Sequence, residues 1–230
     1  MKRAGTAVAL ACAAGLLLAG CGGGSSTGAA GPATSASPSL SPSASPTPSG
    51  TSTRPPAPAG TRWVTAAKAG VEFVVPSAWK DYDLAALLAS ADPTQLDQVT
   101  SAMNVTKDQM ATIARTVELF VMDPATGSFR GNVQVLGSPM TELPTEASVT
   151  SQFAAVGMHV TGTTRPDTPA GSALVVAYTG SASGGTPFVG RSILVAAGGT
   201  VVDITVTAGT DARLHAVVDP LLQTLRPTAG

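Results

Sequence analysis

Cys21 is the residue whose surroundings point most directly to a chemical reaction. Lys2 and Arg3 give the chain a short positive start, residues 4–18 are apolar and uncharged, and small residues lead up to the cysteine. These three features together are typical of a secretory signal peptide. A cysteine at the cleavage point offers the thiolate needed to form a thioether with a lipid. We therefore expect cleavage before Cys21 and lipid attachment at its sulfur.

The segment Leu18-Ala19-Gly20-Cys21 resembles the bacterial lipobox, where a diacylglyceryl group joins the cysteine sulfur before the signal peptide is removed. Two alternatives stay open. An uncleaved membrane helix is one, although an apolar run diluted by Ala and Gly is marginal in length for spanning. The other is an ordinary secretory signal with an accidental cysteine. The lipoprotein interpretation places the chain on the extracytoplasmic face of the cell membrane, held by its acyl chains.

Residues suited to acid–base or metal chemistry are scattered along the rest of the chain. We expect neither His159 nor His215 to have a Cys, Asp or Glu at ligand spacing, and they form no i,i+4 pair with each other. Asp81, Asp83 and Asp92 offer carboxylates to a cation, or else solvate a loop and cap a helix. The second interpretation is favoured. The sequence therefore predicts no catalytic residue, no metal site and no cofactor.

Trp79 is the side chain of greatest interest for binding. It follows an apolar strand pattern that ends at Pro76. In one interpretation the indole packs over the sheet where a strand meets a helix. In the other it lines a groove for a peptide or a glycan, because aromatic side chains favour such interfaces. Trp79 is therefore the candidate partner-binding residue.

A Pro/Ser/Gly-rich segment separates Cys21 from the part of the chain that can fold. Residues 22–60 hold eight prolines, and Arg54 is their only charged residue. Such a stretch buries too little apolar surface to offset its ordering entropy. We predict a signal peptide at residues 1–20, a lipidated cysteine and disordered tether at 21–60, and one folded domain at 61–230.

The charge of the predicted domain argues against a nucleic-acid partner. Setting aside Lys2, Arg3 and Arg54 leaves 10 basic and 14 acidic residues, a formal charge of about −4. Both signs are spread along the chain and form no basic stripe. Binding to nucleic acid needs such a stripe, so this class of partner is excluded.

Apolar periodicity predicts an α+β domain. Strands are expected at 62–68, 71–75, 117–122, 132–136, 160–164, 172–178, 189–196 and 201–207. Gly198-Gly199 suits the two-residue turn of a hairpin between the last two. Because strands and helices are segregated along the chain, we expect a central antiparallel sheet flanked by helices.

Helix starts are predicted from capping residues and from the 3.6-residue apolar period. They fall at Asp92, at Thr106 with Gln109 in a capping box, at Thr145 and at Asp211. Asp83 to Ala89 is expected to form a helical turn. In the closing helix an apolar stripe is expected to bury both Leu221 and Leu222, and Pro220 to kink or restart it.

The segment Phe73-Val74-Val75-Pro76-Ser77-Ala78-Trp79-Lys80 resembles the opening of Mog1/PsbP-like domains, a strand that ends in Pro-x-x-Trp. The later order of elements is also similar, so that the resemblance covers about residues 62–226. Actinobacterial lipoproteins of the LpqN type are similar in style. The resemblance implies a central antiparallel sheet with helices on its faces, and a role in binding or assembly rather than catalysis. It carries over no functional residue.

Two functions follow as expectations. The first is a non-catalytic binding or assembly module of the cell envelope, with an envelope protein as partner and the membrane contacted through the lipid anchor. The alternative is a carrier or sensor of a small apolar ligand, because the domain is rich in Val, Leu and Ala. A deep unfilled cavity would favour the carrier, whereas a filled interior with an exposed apolar patch would favour the module.

Overall fold

The computed structural model describes residues 54–90, 93–103, 105–125, 129–182 and 185–228. Cys21, the predicted signal peptide, most of the predicted tether and Asp92 lie outside these residues. The helices are α1 (Leu84–Ala89), α2 (Pro93–Met103), α3 (Lys107–Thr116), α4 (Glu146–Ala155) and α5 (Asp211–Thr224). The strands are β1 (Thr61–Ala66), β2 (Val71–Pro76), β3 (Lys80–Asp81), β4 (Val117–Met122), β5 (Asn132–Gly137), β6 (His159–Thr164), β7 (Asp167–Thr168), β8 (Gly171–Ser181), β9 (Pro187–Ala197), β10 (Thr200–Ala208) and β11 (Arg226–Pro227).

Two antiparallel sheets form the framework. The main sheet has the order β3-β4-β5-β10-β9-β8-β6, with β7 paired to β8 outside this row, and the second sheet has the order β1-β2-β11. The outer strands of the main sheet are β3, which has two residues, and β6, whose register on β8 shifts between Val160 and Gly162. Helices lie on both faces of the main sheet. The predicted α+β class with a central antiparallel sheet flanked by helices is confirmed.

The strand register defines two ends of the main sheet, named here the Ser181 end and the Gly198 end. At the Ser181 end, Ser181 of β8 pairs with Pro187 of β9, and β10 finishes beside the start of β9. At the Gly198 end, β9 turns into β10 through Gly198 and Gly199, whose φ angles are 58° and 83°. Positive φ at both turn residues is the geometry that the predicted hairpin needs.

One face of the main sheet is covered by α5 and by the second sheet. The inward side chains of β1, β2 and α5 join those of β4, β5, β8, β9 and β10 in a single apolar cluster. The members of this cluster on α5 and at its end are Leu214, Val217, Val218, Leu221 and Leu225. The closing helix therefore packs against the antiparallel sheet through the predicted stripe.

Two details of α5 differ from the sequence prediction. Leu222 is only half-buried, because consecutive helical residues are turned by about 100° and Leu221 takes the inward position. The helix also continues through Pro220 to Thr224, so of the two predicted alternatives for this proline, a kink or a restart, the restart does not occur. Leu221 and Leu225 keep the helix packed on the core beyond the proline, which explains why it continues.

The opposite face carries α1, α2 and α3 over β4, and α4 over β8 and β9. Each group buries its own apolar cluster, one around Met110, Ile113 and Phe120 and the other around Phe153 and Tyr178. The helices begin where their caps predict. The Thr106 hydroxyl accepts the Gln109 N–H at 3.2 Å while the Gln109 side chain accepts the Thr106 N–H at 2.8 Å, and Asp83 and Thr145 cap α1 and α4.

Residues 54–60, predicted to belong to the tether, lie against β1 and β2. The Thr61 N–H donates to the Pro58 carbonyl at 3.0 Å, and the Trp63 indole N–H donates to the Pro55 carbonyl at 2.9 Å. The physical reason is Arg54, whose guanidinium pairs with the buried carboxylate of Glu72. The described fold therefore starts at Arg54 rather than at Thr61.

Packing of α5 is tested by Leu221→Ala, which should lower the free energy of unfolding by about 2–5 kcal/mol, the usual cost of truncating a buried leucine. Leu222→Ala should cost less because its side chain is only half-buried. Gln223→Ala is the exposed control and should change little. Denaturant midpoints of the full-length variants measure the three effects. Equal midpoints for Leu221→Ala and Gln223→Ala would contradict the packing described above.

Candidate functional site

A cleft opens at the Ser181 end of the main sheet, between the end of α4 and the β8–β9 pair. Its volume is about 590 Å³. It is lined by residues 156–159 after α4, 179–181 of β8, 187–189 of β9, and Gly209. Four separate segments of the chain therefore meet to form it. Its position at strand ends, on a rigid sheet, suits a binding site.

The floor of the cleft is apolar. Met158 and Phe188 are 9% and 2% exposed and meet beneath Gly180. A Cβ atom at Gly180 would lie 2.5 Å from the Met158 sulfur and 2.6 Å from Phe188 Cζ, so only glycine fits there without displacing the floor. Phe188 is further held by stacking on Phe129, with ring centroids 5.3 Å apart.

The rim of the cleft is polar and exposed. His159 and Ser181 are exposed and Thr179 is half-buried, while the exposed Pro187 is an apolar member of the rim. Gly157, at a φ of 77°, ends α4 and turns the chain so that Met158 points to the floor and His159 starts β6 at the rim. An apolar floor with a hydroxyl-bearing rim suits one apolar group whose flanks make hydrogen bonds.

A strip of buried polar side chains crosses the same face of the sheet beyond the cleft. Its members, on β5, β9 and β10, are Asn132, Gln134, Ser192, Asp203, Thr205 and Thr207. The register places them side by side, since Thr205 is opposite both Gln134 and Ser192. We call this set the polar strip. It separates the apolar cluster under α1–α3 from the one under α4.

Asp203 is the charged member of the polar strip. Its Oδ1 accepts hydrogen bonds from the Ser192 hydroxyl at 2.8 Å and from the Thr205 hydroxyl at 3.4 Å. Burial raises the pKa of Asp203 to about 6, although these two hydrogen bonds act in the opposite direction. The Thr207 hydroxyl has no hydrogen-bond partner among the described groups. The strip thus holds a carboxyl group whose charge is costly.

Tyr178 stands between the cleft and the polar strip. Its ring lies across Gly190, where a Cβ atom would be 2.3 Å from Tyr178 Cζ. Burial, and secondarily the charge of Asp203, raises the pKa of its hydroxyl. The ring also contacts Phe153 and Phe188, with centroid distances of 4.7 and 6.3 Å. Tyr178 therefore closes the floor of the cleft on the side of the strip.

The structure corrects the proposed role of Trp79. This side chain is 8% exposed and belongs to the core cluster under the second sheet. Gly131 lets the ring approach closely, since a Cβ atom there would be 3.0 Å from Trp79 Cη2. Of the two interpretations, packing over the sheet is the one observed. The indole offers too little surface to bind a partner, and the cleft takes its place as the candidate site.

The two histidines are exposed and lie far apart in the fold. His159 is at the rim of the cleft, and its position there was not evident from the sequence. His215 lies on α5 with its Nδ1 3.4 Å from Oδ1 of Asp219, one turn later. The expectation that neither histidine has an acidic residue at ligand spacing is therefore wrong for His215. Among the described residues, no three His, Cys, Asp or Glu side chains lie together as metal ligands do.

Of the three aspartates considered as cation ligands, Asp92 lies outside the described residues, whereas Asp81 and Asp83 each have a structural partner. Asp81 pairs with Arg62, whose Nη1 lies 3.1 Å from Asp81 Oδ2. Asp83 accepts the Ala86 N–H at 2.9 Å and so caps α1. Each carboxylate thus has a structural partner, in agreement with the favoured interpretation of this segment.

The polar strip and the cleft were both missed by reasoning from the sequence. The signs of the strip are the alternation of Asp203, Thr205 and Thr207 with apolar residues along β10, and that of Asn132 and Gln134 with valines along β5. The cleft has no sign in any one segment, because its lining comes from four of them. Among the described helices, none has the length and apolarity that crossing a bilayer requires.

Comparison with known proteins shows likeness at the level of fold. No protein-family model matches the sequence, and no curated protein matches it. The chain is similar to the solution structure of cyanobacterial PsbP (CyanoP) from Synechocystis sp. PCC 6803, at 13% identity and a TM-score of 0.45, over 74% of this chain and 94% of that one. It is also similar to PA94 from Pseudomonas aeruginosa, a protein of unknown function, at 16% identity and a TM-score of 0.33, over 41% and 69%. Both TM-scores lie below 0.5, so neither likeness decides family or function.

The buried carboxyl of Asp203 predicts a pH-dependent stability. Its pKa is raised on folding, so the native state binds a proton more tightly than the unfolded chain does. The contribution of Asp203 to the free energy of unfolding should therefore fall as pH rises from about 4 through about 6, and it should level off above. At about 1.4 kcal/mol per pKa unit, the whole loss is on the order of 3 kcal/mol.

Asp203→Asn tests this dependence, because it removes the charge and keeps an oxygen that accepts from Ser192. Its free energy of unfolding should lose the slope between pH 4 and 6 and exceed that of wild type at pH 7.5. Asp167→Asn, at an exposed aspartate, is the control and should keep the slope. The same slope in Asp203→Asn as in wild type would show that Asp203 does not titrate in this range.

Proposed function

We propose that this protein is a lipid-anchored lipoprotein of the cell envelope whose α+β domain is a non-catalytic binding module. The anchor is supported by the signal segment and by the lipobox-like residues before Cys21. The binding role is supported by one observation, the cleft at the Ser181 end with its apolar floor and exposed polar rim. The partner that this surface fits best is a protein segment that inserts one apolar side chain.

The shape of the cleft favours a binding module over a carrier of small apolar ligands. A carrier encloses most of the surface of its ligand. In this cleft His159, Ser181, Pro187 and Gly209 are exposed, so a molecule on the floor keeps one side open to solvent. Meanwhile the side chains of the three apolar clusters are almost wholly buried. An open pocket that admits a single anchor residue is typical of a protein–protein contact.

We also place the domain among Mog1/PsbP-like domains, in lipoproteins similar to the actinobacterial LpqN type. The motif residues that suggest this placement have a structural role in the chain. Phe73, Val75 and Trp79 belong to one core cluster, and the Trp79 N–H donates to the Pro76 carbonyl at 3.0 Å. The motif thus joins the second sheet to the main sheet. This supports a claim about fold, and it assigns no ligand.

The anchor is tested by Cys21→Ala. This variant lacks the thiolate that forms the thioether, so the protein should leave the membrane fraction or persist as an uncleaved precursor. Membrane fractionation and intact-mass measurement read both outcomes. Cys12→Ala is the control, because a cysteine within the signal segment is removed with it. Wild-type mass and fractionation for Cys21→Ala would refute the lipoprotein proposal.

The cleft is tested by Ser181→Trp, which places a bulky side chain at its rim. Ser172→Trp is the matched control, since it makes the same change at an exposed serine of the same strand at the Gly198 end. Both variants and the wild-type protein are cross-linked in intact cells and purified from membranes. We expect wild type and Ser172→Trp to capture the same partner protein. The amount of this partner captured by Ser181→Trp should be at least tenfold lower.

The outcome distinguishes the module from the carrier. If Ser181→Trp captures as much of the partner as wild type does, the cleft is not the docking surface. Stoichiometric binding of an apolar fluorophore such as anilinonaphthalene sulfonate to wild type, lost in Ser181→Trp and without any cross-linked partner, would instead favour the carrier.

A further inference from the structure

Residues 54–60 form a strap that runs back along the second sheet. The Arg54 guanidinium pairs with the Glu72 carboxylate and donates to the Thr65 hydroxyl at 2.9 Å. At the other end of the strap, the Ser77 N–H donates to the Gly60 carbonyl at 2.9 Å. Together with the indole bond to the Pro55 carbonyl, these contacts hold the strap at its first two residues and at its last one.

Glu72 is the fixed point that holds the strap. Its side chain is 8% exposed, and its second oxygen accepts from Arg226 Nε at 2.6 Å. Burial alone would raise the pKa of this carboxyl, but the pairing with Arg54 and Arg226 outweighs burial and the pKa is lowered. Both guanidinium groups also lie over the Trp63 ring, at 5.4 and 4.4 Å from its centroid. Loss of Arg54 would leave a buried charge half-compensated, which favours retention of the pair.

The strap determines the end of the domain at which the preceding chain is attached. β1 begins at Thr61, which is opposite Pro76 and therefore lies toward Trp79. The Trp79 ring packs on Gly131, which is close to the Thr207 carbonyl at the Ser181 end of the main sheet. β1 therefore begins at the Ser181 end. β1 runs from there to the β1–β2 turn, where the Lys68 and Ala69 amides bond to Glu118 near the start of β4, at the Gly198 end.

The Arg54 guanidinium reaches Thr65 rather than Thr61, because the strap runs back along β1 from Gly60. Four residues of a strand separate these two positions, or about 13 Å. The strap thus moves the attachment point from the end of the sheet that carries the cleft toward the opposite end.

We propose that the strap is a latch that fixes the exit of the tether at the Gly198 end and so presents the cleft away from the membrane. The latch itself stands on the contacts of Arg54, while its orienting effect rests on the anchor and the cleft of the proposed function. Release of the latch moves the attachment point to Thr61, at the cleft end. The tether would then approach the cleft from the membrane side.

The latch is tested by distance measurement between two nitroxide labels in the full-length chain. Cys12→Ser and Cys21→Ser remove the native thiols, so the result does not depend on lipidation. One label is placed at Thr53→Cys, directly before Arg54, and the other at Thr200→Cys near the Gly198 end or at Ser181→Cys. Double electron–electron resonance should show a narrow distribution from Thr53 to Thr200, with a mean shorter than the one from Thr53 to Ser181.

Arg54→Gln should at least double the width of the Thr53–Thr200 distribution and lengthen its mean. Arg213→Gln, at an exposed arginine on α5, is the matched control and should leave it unchanged. Trp63→Phe removes the bond to Pro55 without changing charge, and should widen the distribution as well. Thermal unfolding within a few degrees of wild type confirms that each variant is folded.

A distribution in Arg54→Gln as narrow as in wild type would overturn the latch, and so would a broad distribution in the wild-type strap. Should Arg54→Gln fail to fold, Trp63→Phe decides alone, with the same two outcomes. Failure of the latch leaves the anchor and the cleft untouched, because these are read from fractionation of Cys21→Ala and cross-linking of Ser181→Trp.

Discussion

The fold depends on the complete burial of β10. This strand is paired on both sides, with β5 and β9, and its residues 201–208 are all buried. Val202, Ile204 and Val206 pack under α5 and the second sheet, whereas Asp203 and Thr205 face the layer of the other helices. Because a shift of one residue would exchange these two faces, the register of β10 fixes which face is apolar and where the polar strip lies.

The cleft and the polar strip are neighbours made possible by two glycines. Gly180 of β8 leaves room for Met158 and Phe188, and Gly190 of β9 leaves room for Tyr178. In each case the missing Cβ lets an aromatic ring approach the strand closely. The aromatic layer formed in this way ends the apolar floor on one side and covers the polar strip on the other. The two features therefore share their supporting residues.

Much of the fold follows from local patterns in the sequence. The hairpin at Gly198-Gly199, the capping box at Thr106 and the stripe on α5 each depend on residues a few positions apart, and the structure has all three. Leu222 shows the limit of such patterns. It belongs to the same apolar stripe as Leu221, but it is only half-buried, whereas Leu221 is fully buried. The apolar period of a sequence identifies which face of a helix is buried. How deeply a residue at the edge of that face is buried depends on the packing around it.

The rest depends on contacts between distant residues. Trp79 is buried because Gly131 leaves space for it, and Arg54 joins the domain because Glu72 is within reach. Neither partner is marked by its own neighbours in the sequence. The same holds for the cleft, whose four segments meet only through the order β10-β9-β8-β6 and the turn after α4. Composition misled only at the end of the proline-rich stretch, where residues 54–60 lie against the second sheet.

The outer strands of the main sheet bear on how copies of this protein behave when they are crowded together. Long regular edge strands expose rows of backbone N–H and C=O groups that pair with other chains and start aggregates. Here β3 is only two residues long, and β6 is interrupted by the register shift at Val160 and Gly162. A shifted register bends a strand and breaks its row of free groups. The main sheet is thus protected at both edges against growth by strand addition.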